Sequence, residues 1–230
     1  MPTNTEAAPD ALEDGGPLPL DIMPPFFINA PNLRDVPSEL SGGAILESMR
    51  RRLTWPNYAG KRVLDYGCGV RLARTIANLG LEIGRYAGVD SNAEFINWLA
   101  NNLQDPRFTF AHVDVDNPLY PNGSMPVQKL ESIPIDGTFD LACMFSVITH
   151  QDPDEAGHIF KLIRPLAHKL YFTAFVIESL AGYREGDPAK PRLLSQFGID
   201  LLASVLSESG WTIQRIYKPV RYQQHAIIAI

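Results

Sequence analysis

At 230 residues, the chain is long enough to bury a full core as one domain, and its 45% hydrophobic and 20% charged residues are ordinary for a globular protein. A formal net charge of −6 leaves no basic surplus to neutralise phosphates, which argues against a nucleic-acid substrate; Arg50-Arg51-Arg52 is the single basic cluster and reads as the solvated face of a helix. Two cysteines make neither a disulfide framework nor a zinc site, no apolar run reaches the roughly 18 residues of a membrane span, and the first 33 residues lack the basic start of a signal peptide, so a cytoplasmic protein is expected.

Residues 1–37 carry Pro2, Pro9, Pro17, Pro19, Pro24, Pro25, Pro31 and Pro37, which deny the backbone regular hydrogen bonding. This segment is expected to be flexible, except that Ile22, Met23, Phe26, Phe27 and Ile28 are apolar enough to fold back on the domain, as a lid or as plain core cover. The folded domain then runs over 38–230. Apolar residues at helical spacing (Ile45, Leu46, Met49, Leu53) predict a helix over 41–53. A strand at 62–66 leads into Gly67-Cys68-Gly69 and a helix at 70–79, and a second strand at 86–89 delivers Asp90. Ser91 and Glu94 read as a capping box for a helix with Phe95, Ile96, Leu99 and Leu103 inward. A third strand covers 108–113 and ends in Asp114-Val115-Asp116.

From 118 to 138 the chain is read as loop with one helical turn near 127–131. The fourth strand is 139–146. Asp152-Pro153-Asp154-Glu155 combines an N-cap, a proline at the first helical position and a glutamate three residues on, opening a helix that Pro165 stops. Strand five covers 169–177 and a polar stretch 178–190; a helix at 193–209, a strand at 211–217 and a last strand at 223–230 complete the chain. Alternating strands and helices argue a parallel sheet covered on both faces, and the link 218–222 is too short for a parallel crossover, so the last strand should run antiparallel. The expected fold is α/β: a three-layer, Rossmann-like sandwich on a mostly parallel sheet of about seven strands.

The chemistry concentrates at strand ends, where ligands of open α/β sheets bind. Glycines after the first strand allow a sharp turn and close backbone approach, the following helix offers free N–H groups, and Asp90 lies where a carboxylate can accept hydrogen bonds from ribose hydroxyls. This is the footprint of a nucleoside-containing cofactor. The dinucleotide fingerprint G-x-G-x-x-G would need a glycine where Leu72 stands. Asp65, two residues before the first glycine, would repel a pyrophosphate but suits an ammonium and a sulfonium.

At these residues the chain resembles the class I S-adenosylmethionine-dependent methyltransferases, whose first motif reads roughly (D/E)-x-G-x-G-x-G, over about 41–230. Arg71 replaces the third glycine, as a tighter turn or as an early helix start with its side chain in solvent. The segment Phe145-Ser146-Val147-Ile148-Thr149-His150 is similar to the S-V-x-T-H stretch of many small-molecule members. The resemblance implies S-adenosylmethionine held by Asp65, Gly67, Cys68, Gly69, Asp90, Ser91, Asp114, Val115, Phe145 and Ser146, with Asp114 on the adenine amino group unless Asp116 takes that place. Cys68 reads as a small residue packed under the cofactor. His150 is read either as a base for an acceptor hydroxyl or as a structural histidine of its loop. Phe26, Phe27, Tyr120, Tyr183 and Arg184 are the candidate acceptor lining.

Methylation of an O or N atom of a small molecule by in-line displacement is thus implied, with positioning supplying most of the effect. The histidines show no metal-ligand spacing, and no metal is expected. The rival readings are a noncatalytic binding or regulatory domain, favoured by Arg71, and an NAD-dependent oxidoreductase, disfavoured by Asp65, the missing third glycine and the terminal hairpin.

Overall fold

In a computed structural model, which describes residues 38–116, 123–186, 194–219 and 224–230, the sheet grows outward from β1 (Arg62–Tyr66), buried from Val63 onward. Burial on both faces is what a central parallel strand requires. β1 pairs in parallel with β2 (Arg85–Asp90) on one side and with β4 (Leu141–Met144) on the other. β3 (Phe108–His112) lies outside β2, and β5 (Leu170–Val176) outside β4, both parallel. β9 (His225–Ala229) runs antiparallel to β5, and β8 (Ile213–Tyr217) antiparallel to β9. The main sheet therefore has the order β3-β2-β1-β4-β5-β9-β8, seven strands with the last one in sequence reversed, as expected.

Helices cover both faces. Leu46 and Met49 of α1 (Ser38–Arg52), Leu72 and Ile76 of α2 (Arg71–Asn78), and Phe95 and Leu99 of α3 (Ala93–Asn102) pack with Val63, Tyr86, Leu141 and Tyr171. Ile159 and Phe160 of α4 (Pro153–Ile163), with Leu202 and Leu206 of α5 (Ile199–Glu208), pack with Leu64, Val89, Met144 and Phe172 on the opposite face. Alternate residues of each strand feed the two cores, the period-two rule of a pleated strand. Among the described residues no helix is long and apolar enough to cross a membrane.

The start of α4 is as the sequence reads. Asp152 Oδ1 accepts from Glu155 N at 2.8 Å, Glu155 Oε2 accepts from Asp152 N at 3.0 Å, and Pro153 opens the helix. Three expectations are corrected. The cap of α3 is Asn92 and not Ser91: the Asn92 side chain accepts from the N–H groups of Glu94 and Phe95, because Asp90 Oδ1 takes the Asn92 N–H at 2.8 Å and fixes the chain one residue further on. Helix α5 starts at Ile199, not near 193, because Gln196–Phe197 (β7) is drawn into a small ladder with the end of β5 and with Tyr183–Arg184 (β6). Strand β4 ends at Met144, since Ser146 adopts φ +59° and leaves the ladder. The expected lid, with Phe26 and Phe27, lies outside the described residues, as does Tyr120.

Candidate functional site

The C-terminal ends of β1 to β4 surround a cleft of about 230 Å³. Its floor is the glycine turn. Gly67 N–H and Cys68 N–H both donate to Val89 O, at 2.7 and 3.0 Å, clipping the turn to the end of β2. Gly67 and Gly69 stand at φ +73° and +50°, a region that costs other residues about 1–2 kcal/mol. A Cβ on Gly67 would lie 2.3 Å from Val147 Cγ2, whereas one on Gly69 would meet nothing within 4 Å. The first glycine is required by packing, and the second faces open space.

Asp90 is latched to this turn. Its Oδ2 accepts from Gly69 N–H and its Oδ1 from Asn92 N–H, both at 2.8 Å. Burial raises its pKa, against the pull of those two backbone donors. Ser91 lines the cleft beside it, and its carbonyl lies 3.1 Å from His112 Nε2.

Asp65 and Cys68 sit behind the turn and do not line the cleft. Asp65 is only 2% exposed; Tyr86 Oη donates to its Oδ2 at 2.6 Å and the Cys143 thiol to its Oδ1 at 3.6 Å. Burial pushes its carboxyl up to about 6, with the bonds from Tyr86 and Cys143 opposing. Burial also raises the Cys68 thiol well above its ordinary value, which removes thiolate character and fits a packing residue.

At the end of β3 the two candidate acids part. Asp114 turns outward, its carboxylate accepting from Ser124 N at 3.0 Å and from the Ser124 hydroxyl. Val115 and Asp116 line the cleft instead. Their backbone is held by Asp116 N–H donating to Met125 O at 2.7 Å and by Gly123, where a Cβ would fall 2.1 Å from the Val115 carbonyl.

Beyond β4, Phe145, Ser146, Val147, His150 and Gln151 form the other wall. Ser146 is a non-glycine residue in the left-handed region, a strain of about 1–3 kcal/mol that persists only where surroundings over-determine it. His150 ends a 3₁₀ turn, Ile148–His150, its N–H donating to Val147 O at 3.0 Å, and lines the cleft. Tyr66, Phe95, Val113, Val127 and Ile159 complete the lining; in the sequence they belong to expected strands, helices and loop with no site role. Tyr66 and Phe95 had a signal, being aromatic residues immediately beside the glycine turn and on the first turn after Asp90.

Tyr183 and Arg184 are not brought to this cleft. Tyr183 Oη lies 3.0 Å from Ser195 Oγ and its ring meets Phe197 edge-on, and Arg184 donates to Gln196 Oε1 at 3.0 and 2.6 Å across the β6–β7 hairpin. Among the described residues, no three His, Cys, Asp or Glu side chains converge on one point.

A family model described as a methyltransferase domain matches residues 42–215, and no curated protein sequence matches the chain. Solved structures with the same fold include 1,6-didemethyltoxoflavin-N1-methyltransferase from Burkholderia thailandensis, bound to 1,6-didemethyltoxoflavin and S-adenosylhomocysteine, at 21% identity and TM-score 0.55 over 87% of this chain and 80% of that one. A Mesorhizobium loti S-adenosylmethionine-dependent methyltransferase aligns at 16% identity and TM-score 0.57, over 80% and 97% of the two chains. Magnesium protoporphyrin IX methyltransferase from Synechocystis PCC 6803, with bound S-adenosylmethionine, aligns at 16% identity and TM-score 0.53, over 83% and 78%.

Proposed function

The chain belongs to the methyltransferase domain family, and from that premise we propose that it moves a methyl group from S-adenosylmethionine to an oxygen or nitrogen atom of a small-molecule acceptor. The observation that carries the reading is the Gly69–Asp90 latch: a buried carboxylate fixed by two backbone donors beside a glycine whose missing Cβ leaves open space. That space suits a ribose, whose hydroxyls can donate to the free lone pairs of a carboxylate. The residues present therefore fit the cofactor.

In this reading Gly67 and Gly69 let the backbone approach the ligand, Asp90 and Ser91 hold the ribose, and Val115 and Asp116, in preference to Asp114, flank the adenine with Phe95 and Val127. Asp65 acts from behind the turn, as a buried acceptor that sets the field under it. Phe145 and Ser146 wall the end of the cleft where transfer occurs. When bound, the cofactor supplies a methyl group on a sulfonium centre that is already a good leaving group. The protein's part is to orient donor and acceptor in line and to exclude water; in this reading His150, which lines the cleft, takes the proton of an acceptor hydroxyl. The small-molecule class is supported by the toxoflavin and protoporphyrin methyltransferases that share the fold.

Calorimetric titration with S-adenosylmethionine, S-adenosylhomocysteine and NAD tests the reading. Both adenosyl thioether ligands should bind and NAD should not. Removing two charge-assisted bonds in Asp90→Ala should weaken binding by about a hundredfold or more. Binding of NAD alone would refute the methyltransferase assignment, and wild-type protein that binds none of the three would point to a noncatalytic domain.

A further inference from the structure

Ser146 is held by the side chains of two threonines, Thr173 and Thr149. The ladder between β4 and β5 ends at Met144 opposite Phe172. One step further on, a side chain replaces the ladder: Ser146 N–H donates to Thr173 Oγ1 at 2.9 Å. On its other side, Ser146 O accepts from Thr149 Oγ1 at 2.9 Å. Both backbone polar groups of a residue at φ +59° are thus taken by threonine hydroxyls. Serine has no preference for the left-handed region that would explain the conformation, whereas two such bonds do. The outer threonine is itself anchored, because Thr149 is 1% exposed and its carbonyl accepts from Ser195 N–H at 2.7 Å.

The strand order locates this clamp along the cleft. Asp116 follows β3 and Ser146 follows β4, and β2 and β1 lie between them. Three strand spacings separate those ends, about 14 Å. A ligand whose ribose sits at Asp90 and whose base sits toward Asp116 therefore brings its sulfur end, not its base, to Ser146.

We propose that Thr173 and Thr149 are positioning residues for the sulfur end of the cofactor: they fix the peptide planes at Ser146 and so the wall against which the donor is aligned. The inference rests on the S-adenosylmethionine reading above and adds that the two ends of the cofactor are held independently. The nucleoside end depends on Asp90 and Asp116, and the sulfur end on the threonine clamp.

The test needs no acceptor. Thr173→Val keeps shape and strand propensity but removes the hydroxyl, and Thr173→Ser keeps the hydroxyl. Titrated with S-adenosylhomocysteine, Thr173→Val should bind about three- to tenfold more weakly than wild type, the range for one lost hydrogen bond, while Thr173→Ser stays near wild type. Titrated with adenosine, which lacks the sulfur end, all three proteins should agree within about twofold. Wild-type affinity for S-adenosylhomocysteine in Thr173→Val, or an equal loss of both ligands, would overturn the inference alone. A wild-type protein that binds neither ligand would overturn the cofactor reading and this inference with it. Should Thr173→Val fail to fold, Thr149→Val with Thr149→Ser as its rescue reads the other arm of the clamp, with the same outcomes.

Discussion

The two glycines of the turn should respond differently to the same substitution. An alanine at either position is placed at positive φ, +73° for Gly67 and +50° for Gly69, at a cost of about 1–2 kcal/mol. Only at Gly67 does the new methyl also meet Val147 Cγ2, at 2.3 Å, where carbon atoms prefer about 3.5–4.0 Å. Val147 is β-branched and stiff about χ1, so the overlap is relieved by moving the turn or the β4 wall, at about 1–3 kcal/mol. Gly67→Ala should therefore lose about 2–5 kcal/mol in total, from a stability that is ordinarily about 5–15 kcal/mol. In thermal unfolding this is a drop of roughly 4–20 °C at this chain length. Gly69→Ala should lose no more than about 2 kcal/mol yet bind S-adenosylhomocysteine more poorly, since its methyl enters the open space beside Asp90. Repeating Gly67→Ala in a Val147→Ala background should recover about 1–2 kcal/mol as coupling and leave the backbone cost in place. Gly67→Ala melting with wild type, equal destabilisation by the two alanines, or no recovery in the Val147→Ala background would show that Val147 does not make Gly67 necessary.

Two further outcomes follow from groups around the cleft. The folded-state pKa of Asp65, about 6 through burial, lies above the ordinary value near 3.9, so the native state holds this proton more tightly than the unfolded chain. Its favourable contribution is present below about pH 4 and is lost as pH rises through about 6, by at most about 3 kcal/mol; the melting temperature of Asp65→Asn relative to wild type should rise across that window and level off above it, and a difference independent of pH would refute the account. Gly123→Ala would put a Cβ 2.1 Å from the Val115 carbonyl and 2.3 Å from Asp116 N, and backbone cannot yield as a side chain can. It should cost more stability and more adenosine affinity than Gly60→Ala, which carries positive φ but has no neighbour within 4 Å; equal effects would show that Gly123 does not set the Val115–Asp116 wall.

What the sequence made legible was local. The run from Arg62 to Asp90 could be read because buried parallel strands are apolar throughout and because glycine marks the positive-φ turn between them. The Asp152 capping box could be read because all its partners lie within four residues. What escaped was decided at a distance. Asp114 and Asp116 are chemically alike, and Ser124, ten residues on, turns the first away from the cleft. The early end of β4 depends on Thr173 of the neighbouring strand. The β6–β7 pair has two residues in each strand, too few for alternation to show, and for that reason the sequence does not reveal that α5 starts only at Ile199. The choice of Asn92 over Ser91 as cap is a competition between two competent residues that the Asp90 carboxylate settles.

The departure of Arg71 from the family glycine pattern has a geometric answer of the same kind. Of the two possibilities, a tighter turn or an early helix start, the structure has the second: Val70 is the N-cap, at φ −125°, and Arg71 the first residue of α2, with its side chain exposed. The left-handed positions of the turn are 67 and 69, and these keep their glycines. At the first helical position φ is negative, so no Cβ penalty exists for a glycine to avoid. The turn's backbone thus requires no glycine at position 71, and the conformation of Arg71 gives no support to a noncatalytic reading of the chain.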